Sequence, residues 1–228
     1  GHLGQRGIGV IILSGRLSQP TLFFGRPHSD ASLRVAQSRH SLDATFCLQY
    51  ARHLVRRKIQ GQMDCFEQLR QARPQHNYPL SVALRQLQQP LIDAPHARNL
   101  STLRGLEGAA ANTYFAALQA VVPESWGFKD RNRRPPRDPF NVLLSLTYTL
   151  AHAECAFALH AAGLDPCIGY YHQLLFKRES LACDVVEIVR PLVDAFCLQL
   201  VAKQTLIADH FSLGSTPGAA CLLGKAGR

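Results

Sequence analysis

The chain of 228 residues is long enough to bury one large core, and its hydrophobic content of 46% is ordinary for a globular protein. Its formal net charge of +9 favours a polyanionic partner, chiefly nucleic acid. Seven scattered cysteines without a Cys-x-x-Cys pair argue against a zinc ribbon or a disulfide framework, and they predict free thiols in a reducing cytoplasm.

Two short strands are predicted near the start of the chain, over residues 8–13 and 21–24. The segment that joins them, residues 14–20, is rich in Gly, Ser and Pro and is predicted to be a turn. A sheet of only two strands is marginally stable. The apolar run over residues 8–13 is far too short to cross a bilayer, and no membrane partner is predicted.

From Asp30 onward the apolar residues recur with a helical period. The predicted helical segments cover residues 30–59, 80–91, 95–123 and 139–162. Pro90 is expected to close the second of them, because proline interrupts helical hydrogen bonding. The first segment alternates apolar residues with charges mostly of one sign, which favours a phosphate-facing surface over a merely solvated face. These cations are Arg34, Arg39, Arg52, Arg56, Arg57 and Lys58.

Glu107 is a candidate functional residue of the third helical segment. It stands beside an apolar stripe that includes Leu106, Ala110 and Tyr114. Gly105 and Gly108 flank it, and glycine inside a helix costs about 1 kcal/mol relative to alanine. We therefore predict that another backbone or a ligand approaches this face closely.

The segment over residues 126–138 is the most basic loop of the chain. Arginine guanidinium groups match phosphate oxygens, so we predict contact with the DNA backbone and not a floppy exposed connection. The predicted DNA-binding residues are Lys129, Arg131, Arg133, Arg134 and Arg137.

The stretch over residues 163–191 places His172 in a glycine-flanked loop, followed by a helix that carries Asp184 and Glu187. The two acids are three residues apart and project from one side of that helix. Pro191 is expected to kink the helix at Glu187. Ser180 is predicted to cap the helix, and its buried face is predicted to consist of Leu181, Val185, Ile188, Leu192 and Ala195. One imidazole with two or three carboxylates suits Mg²⁺ or Mn²⁺ better than structural Zn²⁺.

Five pieces of the sequence, in this order, resemble the CRISPR adaptation integrase family, the metal-dependent endonucleases that insert new spacers into CRISPR arrays. They are LEGAA at 106–110, DPFNVLLS at 138–145, GLDP at 163–166, GYYH at 169–172 and SLACDVVE at 180–187. The resemblance implies that Glu107, His172 and Glu187 are the catalytic and metal-binding triad. It implies that Asp184 is an accessory acid of the same site. Because Asp184 borders the predicted buried face, we expect it to orient a ligand or a water, and we expect its substitution to have a milder effect.

The same resemblance implies a mainly α fold, with a helical catalytic domain over residues 29–228 preceded by the remnant of a small β-domain over residues 1–28. It implies a reaction in which the 3′-hydroxyl of a new spacer DNA attacks a phosphodiester of a CRISPR repeat, with Mg²⁺ or Mn²⁺ as cofactor. The implied partners are double-stranded DNA (spacer precursor and repeat), a second copy of the chain in a homodimer, and a small ferredoxin-like adaptation subunit. The implied location is the prokaryotic cytoplasm.

Two other functions stay open on the residues alone. One is a metal-dependent nuclease that cuts DNA without joining strands, since water can replace the hydroxyl. The other is a non-catalytic subunit that binds DNA and positions an active copy, although the retained triad weighs against it. The sequence also leaves open whether the parent protein stands alone or is fused to another domain, for instance a reverse transcriptase.

Overall fold

A computed structural model of the chain describes residues 2, 6, 8–12, 21–23, 30–213 and 220–227. The described part is mainly α-helical, which confirms the predicted fold class. Its helices of more than ten residues are α1 (Ala31–Ser41), α2 (Ala44–Ala72), α3 (Asn77–Asp93), α4 (Leu100–Gln119), α5 (Pro139–Ala161) and α6 (Ser180–Ala202).

Two short antiparallel strand pairs and five short 3-10 helices accompany these helices in the described part of the chain. Strands β1 (Val10–Ile12) and β2 (Thr21–Phe23) pair with Ile11 opposite Leu22, as the strand pattern predicts. The predicted turn over residues 14–20 lies outside the described residues. Strands β3 (Phe211–Leu213) and β4 (Cys221–Leu223) pair with Ser212 opposite Leu222, and the sequence had not indicated them.

The chain forms two compact units. One consists of Gly1–Ala51 and Leu150–Glu187, and the other of Arg52–Thr149 and Ile188–Arg228. Three long helices, α2, α5 and α6, each contribute residues to both units. The domain boundary between residues 28 and 29 stays a prediction.

In the first unit, a small core holds the segment that leads to His172. Ala156 and Leu159 of α5 pack against Leu181 and Ala182 of α6. On α1, the buried side chain of Gln37 donates to the Asp165 carbonyl at 2.8 Å and accepts from its amide at 2.9 Å. The Tyr170 ring meets those of Phe46 and Tyr50 edge-on, with centroids 5.1 and 4.9 Å apart. These contacts fix the segment over residues 163–171.

The second unit has an aromatic and aliphatic core. Phe66 of α2 stacks on Tyr114 of α4 with ring centroids 4.6 Å apart, and both side chains are fully buried. Between α2 and α6 the approach is close, because a Cβ built on Gly61 would lie 3.1 Å from the ring of Pro191. Pro191 lies inside α6, and the predicted kink at Glu187 stays a prediction.

The predicted helix stop at Pro90 is wrong. Helix α3 continues to Asp93 with Pro90 inside its last turn, where the amide of Ala94 donates to the Pro90 carbonyl. Proline removes its own amide donor but keeps its carbonyl acceptor, so the helix can close one turn beyond it.

The predicted buried face of α6 is also wrong in part. Leu181 is buried, but Ile188 is 39% and Leu192 is 71% exposed. The acids Asp184, Glu187 and Asp194 are buried instead. The apolar period had suggested a helix rotated about its axis relative to the observed one, because it counts hydrophobic side chains and ignores polar side chains that find partners inside the fold.

Helix α5 is long and apolar enough to cross a membrane by length and composition alone. Core helices pass the same test, and α5 buries Phe140, Leu143 and Leu144 in the second unit and Ala156 in the first.

Candidate active site

His172 is fixed by a single buried carboxylate. Asp184, which has no exposed surface, accepts from the amides of Tyr170 (2.8 Å) and Tyr171 (3.0 Å) through Oδ2. Its Oδ1 accepts from the amide of His172 at 2.9 Å and lies 2.7 Å from the imidazole Nδ1 of the same residue. The aspartate therefore determines both the backbone of the loop and the orientation of the imidazole.

This arrangement has a consequence for the histidine ring. A proton on Nδ1 directed at Asp184 leaves the lone pair on Nε2, the atom that would bind a metal. The side chain of His172 is partly exposed and that of Asp184 is completely buried. The carboxylate of Asp184 is thus the anchor of the whole loop, and its role in orienting a metal ligand or a water stays a prediction. We therefore no longer expect its substitution to be mild.

The start of α6 is held by the loop as well. The amides of Leu181 and Ala182 donate to the carbonyl of Pro166 at 2.7 and 3.3 Å. Ser180 is the first helical residue, and its hydroxyl donates to the Gln173 carbonyl at 2.8 Å. Its side chain therefore holds the loop and does not cap the helix as predicted. A Cβ built on Gly169 would lie 2.7 Å from the Ser180 backbone, so only glycine fits this contact.

Glu187 lies one turn after Asp184 on the same face of α6. The three-residue spacing predicts this shared side. Glu187 is only 4% exposed, so it lies on the buried face of α6, which the apolar period had not predicted. His172, Asp184 and Glu187 all belong to the first compact unit.

Glu107 belongs to the second unit, on α4. Its Oε1 accepts from Nζ of Lys58 on α2 at 2.5 Å, and the lysine side chain is almost completely buried. Within the described part of the chain, no three His, Cys, Asp or Glu side chains are grouped so that they could hold one metal ion. The triad of Glu107, His172 and Glu187 therefore stays a prediction.

Sequence reasoning had placed Lys58 among phosphate-facing cations and missed its partner. Lys58 occupies the buried face of α2 with Leu54, Val55 and Ile59. A lysine at the helical spacing of apolar neighbours was the available signal, because such a position requires a buried acid. Arg52 is also used inside the fold, since its guanidinium donates to the Ala97 carbonyl at 2.7 and 2.9 Å. Arg56 and Arg57 are exposed.

The close approach expected at the two glycines beside Glu107 is not seen among the described residues. A Cβ built on Gly105 or Gly108 meets no atom within 4 Å. Backbone packing therefore does not explain these glycines, and a ligand above α4 remains the reason to test.

We expect Gly105→Ala and Gly108→Ala each to raise the free energy of unfolding by up to about 1 kcal/mol, because alanine favours the helix and has room. Urea denaturation measures this effect. If DNA passes over this face, Gly108→Ala should also weaken DNA binding. The Gly105→Ala and Gly108→Ala variants should nevertheless have the same free energy of unfolding. A loss of stability in either variant would show that a protein segment covers the glycines.

The basic loop is organised by buried polar side chains and is not a floppy connection. Asn141, fully buried at the start of α5, donates through Nδ2 to the Asp130 carbonyl (2.8 Å) and to Asp138 (2.7 Å). Its Oδ1 accepts from Arg131 at 2.7 Å and from the amide of Asn132 at 3.1 Å.

The five predicted DNA-binding cations divide into two groups. Arg131 is half-buried and also donates to Ser145 at 3.2 Å, and burial lowers the pKa of its guanidinium. We infer that Arg131 holds the loop in place. Exposed side chains, suited to phosphate contact, belong to Lys129, Arg133, Arg134 and Arg137.

Replacing these four exposed cations together by glutamine should weaken DNA binding regardless of sequence. The logarithm of the DNA-binding constant falls linearly with the logarithm of the salt concentration. The magnitude of this slope should decrease by about 0.9 for each duplex phosphate contact removed. Binding titrations at several salt concentrations measure it. Arg131→Met is the control: it should lower the unfolding free energy, and it should change the slope little. An unchanged slope in the fourfold variant would contradict the assignment.

Another buried acid, Asp194, was missed by the sequence analysis. The Tyr148 hydroxyl donates to it, and the guanidinium carbons of Arg190 and Arg131 lie 4.9 and 5.4 Å from the centroid of the Tyr148 ring. Burial raises the pKa of Asp194 to about 6, although hydrogen bonds and the two arginines oppose the shift. The signal was its spacing, since Asp184, Glu187 and Asp194 share one helical face.

This raised pKa predicts a pH-dependent stability. Between the ordinary value of 3.8 and about 6, the folded state binds more protons than the unfolded state, so the contribution of Asp194 falls as pH rises. Asp194→Asn removes that dependence and keeps an acceptor for Tyr148. The unfolding free energy of the variant relative to wild type should therefore rise by about 2 kcal/mol from pH 4.5 to pH 7. Urea titrations at both pH values measure it, and a constant difference would contradict the raised pKa.

Comparison with known proteins identifies the family. The family model for CRISPR associated protein Cas1 matches residues 1–228. The CRISPR-associated endonuclease Cas1 1 of Thermodesulfovibrio yellowstonii is 38% identical over 205 residues, which make up 90% of this chain and 64% of that protein. The chain therefore spans less than two thirds of the length of this curated relative.

Solved structures agree with this comparison. A Cas1 protein from Thermotoga maritima matches with a TM-score of 0.79 at 26% identity, over 99% of this chain and 70% of that one. A chain of a Cas6-RT-Cas1–Cas2 complex matches with a TM-score of 0.79 at 28% identity, over 98% of this chain and 25% of that one. The protein therefore belongs to the Cas1 family of CRISPR-associated proteins.

Proposed function

We propose that this chain is the catalytic part of a CRISPR integrase, which joins the 3′-hydroxyl of a new spacer DNA to a CRISPR repeat. The observation that carries the proposal is the clamp on His172, in which buried Asp184 directs the imidazole and three consecutive backbone amides. An imidazole whose orientation is fixed in this way can present Nε2 to a bound metal in one defined geometry. Membership in a family whose relatives are named endonucleases supports the same conclusion.

The proposed metal is Mg²⁺ or Mn²⁺, held by Glu107, His172 and Glu187. The donors fit a hard divalent cation, because they are carboxylate oxygens and one neutral imidazole nitrogen. The hydrogen bond from Nδ1 to Asp184 is the outer contact that metal-binding histidines ordinarily make. Once bound, the cation would favour deprotonation of the attacking hydroxyl and offset charge at the phosphorus.

The protein side chains would position the DNA and form no covalent bond to it. In the proposed reaction the spacer 3′-oxygen forms one P–O bond, the repeat 3′-oxygen leaves, and the proton lost by the first hydroxyl is balanced by one gained at the second. Burial raises the pKa of the Cys65 thiol to about 11 and of the Cys197 thiol to about 12, which makes them poor nucleophiles. Exposed Lys129 and Arg133 would hold the phosphates.

The proposed partners follow from the same family. Double-stranded DNA is the substrate, and a second copy of the chain and a small ferredoxin-like adaptation subunit complete the assembly. The similarity to a chain of a Cas6-RT-Cas1–Cas2 complex supports a second protein partner. The proposed location is the prokaryotic cytoplasm.

A strand-transfer assay tests the proposal. Spacer DNA with a labelled strand and a free 3′-hydroxyl is incubated with a repeat-containing plasmid, the full-length protein, its partner subunit and Mg²⁺ or Mn²⁺. We expect label joined to the plasmid, and no joining when the 3′ end is dideoxy-terminated. Cutting without joining would instead show a nuclease, and binding without either would show a non-catalytic subunit.

A further inference from the structure

Three side chains where α5 packs against α6 are aligned as a thiol, a base and an acid. The Sγ atom of Cys183 lies 3.8 Å from Nε2 of His152, and Nδ1 of the same imidazole lies 3.5 Å from Oε2 of Glu179. His152 comes from α5, Cys183 from α6, and Glu179 directly precedes α6. All three belong to the first compact unit. A base within reach of a nucleophile, with a third group that orients the base, is the arrangement that activates a nucleophile.

This alignment is open to a small reagent. The side chains of His152 and Glu179 are 30% and 38% exposed, and Cys183 is only partly buried. Cys183 lies three residues after the start of α6 at Ser180, where the positive end of the helix dipole favours negative charge. None of the three aligned side chains has a role in the proposed strand transfer.

The other cysteines differ from Cys183. All seven lie in the described part of the chain, and five of them are buried, namely Cys47, Cys65, Cys155, Cys197 and Cys221. Burial raises the pKa of these five thiols. Cys167 is exposed, but partial burial raises the pKa of its thiol too, and the acids Asp165 and Glu179 add to the effect. Among the seven, Cys183 is the cysteine whose sulfur lies within reach of an imidazole.

We propose that Cys183 is a modification site that reacts with low-molecular-weight disulfides to form a mixed disulfide. His152 accepts the thiol proton, and Glu179 orients the imidazole and stabilises its protonated form. This site goes beyond the proposed integrase reaction and does not depend on it.

The step is a thiol–disulfide exchange. The Cys183 sulfur forms a bond to one sulfur of the reagent, the bond between the two reagent sulfurs breaks, and the second sulfur leaves with the electron pair. The leaving sulfur then takes up the proton held by His152. One thiol and one disulfide are consumed and one of each is formed, so no other oxidant is required. An excess of a small thiol reverses the reaction.

The test measures the rate at which the full-length protein reacts with dithiodipyridine, a neutral disulfide that releases an absorbing thione. Mass spectrometry of peptides identifies the modified cysteine. We expect Cys183 to react at least about 10-fold faster than Cys167, although Cys167 is the more exposed of the two. Cys183→Ser should remove the fast phase, and the matched variant Cys167→Ser should keep it.

Two further variants test the alignment itself. In the Cys167→Ser background, His152→Gln should slow the reaction of Cys183 at least about 10-fold, and Glu179→Gln should slow it by a smaller factor. His160→Gln, which changes an exposed histidine of the same helix, should leave the rate unchanged. In urea-unfolded protein, Cys183 should react at the same rate with and without His152→Gln, because the alignment requires the fold.

A Cys183 that reacts no faster than Cys167 would overturn the inference. An unchanged rate in folded His152→Gln would do the same. Urea denaturation checks that each variant folds, and if His152→Gln does not fold, Glu179→Gln decides the question, since an unchanged rate in that variant contradicts the alignment.

Discussion

Replacement of His172, Glu107 or Glu187 by alanine is expected to abolish strand transfer while DNA binding survives. Loss of a metal ligand removes charge stabilisation worth several kcal/mol in the transition state, so activity should fall at least about 100-fold. Phosphate contacts elsewhere maintain the affinity for DNA. The strand-transfer assay and a fluorescence anisotropy titration, run on the same preparations, measure the two effects.

Matched controls separate chemistry from folding in this experiment. His160→Ala removes an exposed histidine of the same compact unit and should retain activity. Glu107→Gln keeps the shape of the side chain but removes the carboxylate that pairs with buried Lys58. Urea denaturation of this variant therefore accompanies the activity assay, and a loss of activity at unchanged stability reports on the site. Near wild-type integration by two of the three alanine variants would show that the site assignment is wrong.

Asp184→Ala is expected to be as damaging as the loss of His172, for a different reason. The substitution leaves the amides of Tyr170, Tyr171 and His172 and the imidazole Nδ1 without their shared acceptor. Each buried donor left unsatisfied costs about 1–3 kcal/mol, so a loss on the order of 3–5 kcal/mol in unfolding free energy is expected. That is a large part of the stability of an ordinary domain.

Two measurements distinguish the anchoring role of Asp184 from a purely chemical one. Urea denaturation should show the loss of stability, and strand transfer should fall with it. Asp184→Asn keeps one acceptor oxygen and should lie between wild type and Asp184→Ala in both measurements. Glu154→Ala, which removes an exposed acid of the same unit, is the control. Full stability of Asp184→Ala would contradict the role of the carboxylate as the anchor of the loop.

The candidate site was visible in the sequence as a set of residue types. His172 in a glycine-flanked loop and two acids at helical spacing were sufficient to predict hard-metal chemistry, and the order of five short pieces indicated the family that the comparisons then confirmed. The partners of those residues were not visible. Lys58 and Glu107 are 49 residues apart, and no local pattern pairs them.

The sequence by itself determined which parts of the chain are mainly helical, because helical hydrogen bonds join residues four apart and the apolar period is local. It did not determine every helix end, since residues 30–59 form two helices, α1 and α2, and α2 continues to Ala72. Only the tertiary structure decided which face each helix buries and which polar groups are satisfied there. On α6, it buried Asp184 and Glu187 and exposed Leu192, since loop amides provide donors for the aspartate. In the basic loop, it turned Arg131 toward Asn141. Burial of a charged group depends on partners brought from distant parts of the chain, and composition and period contain no information about them.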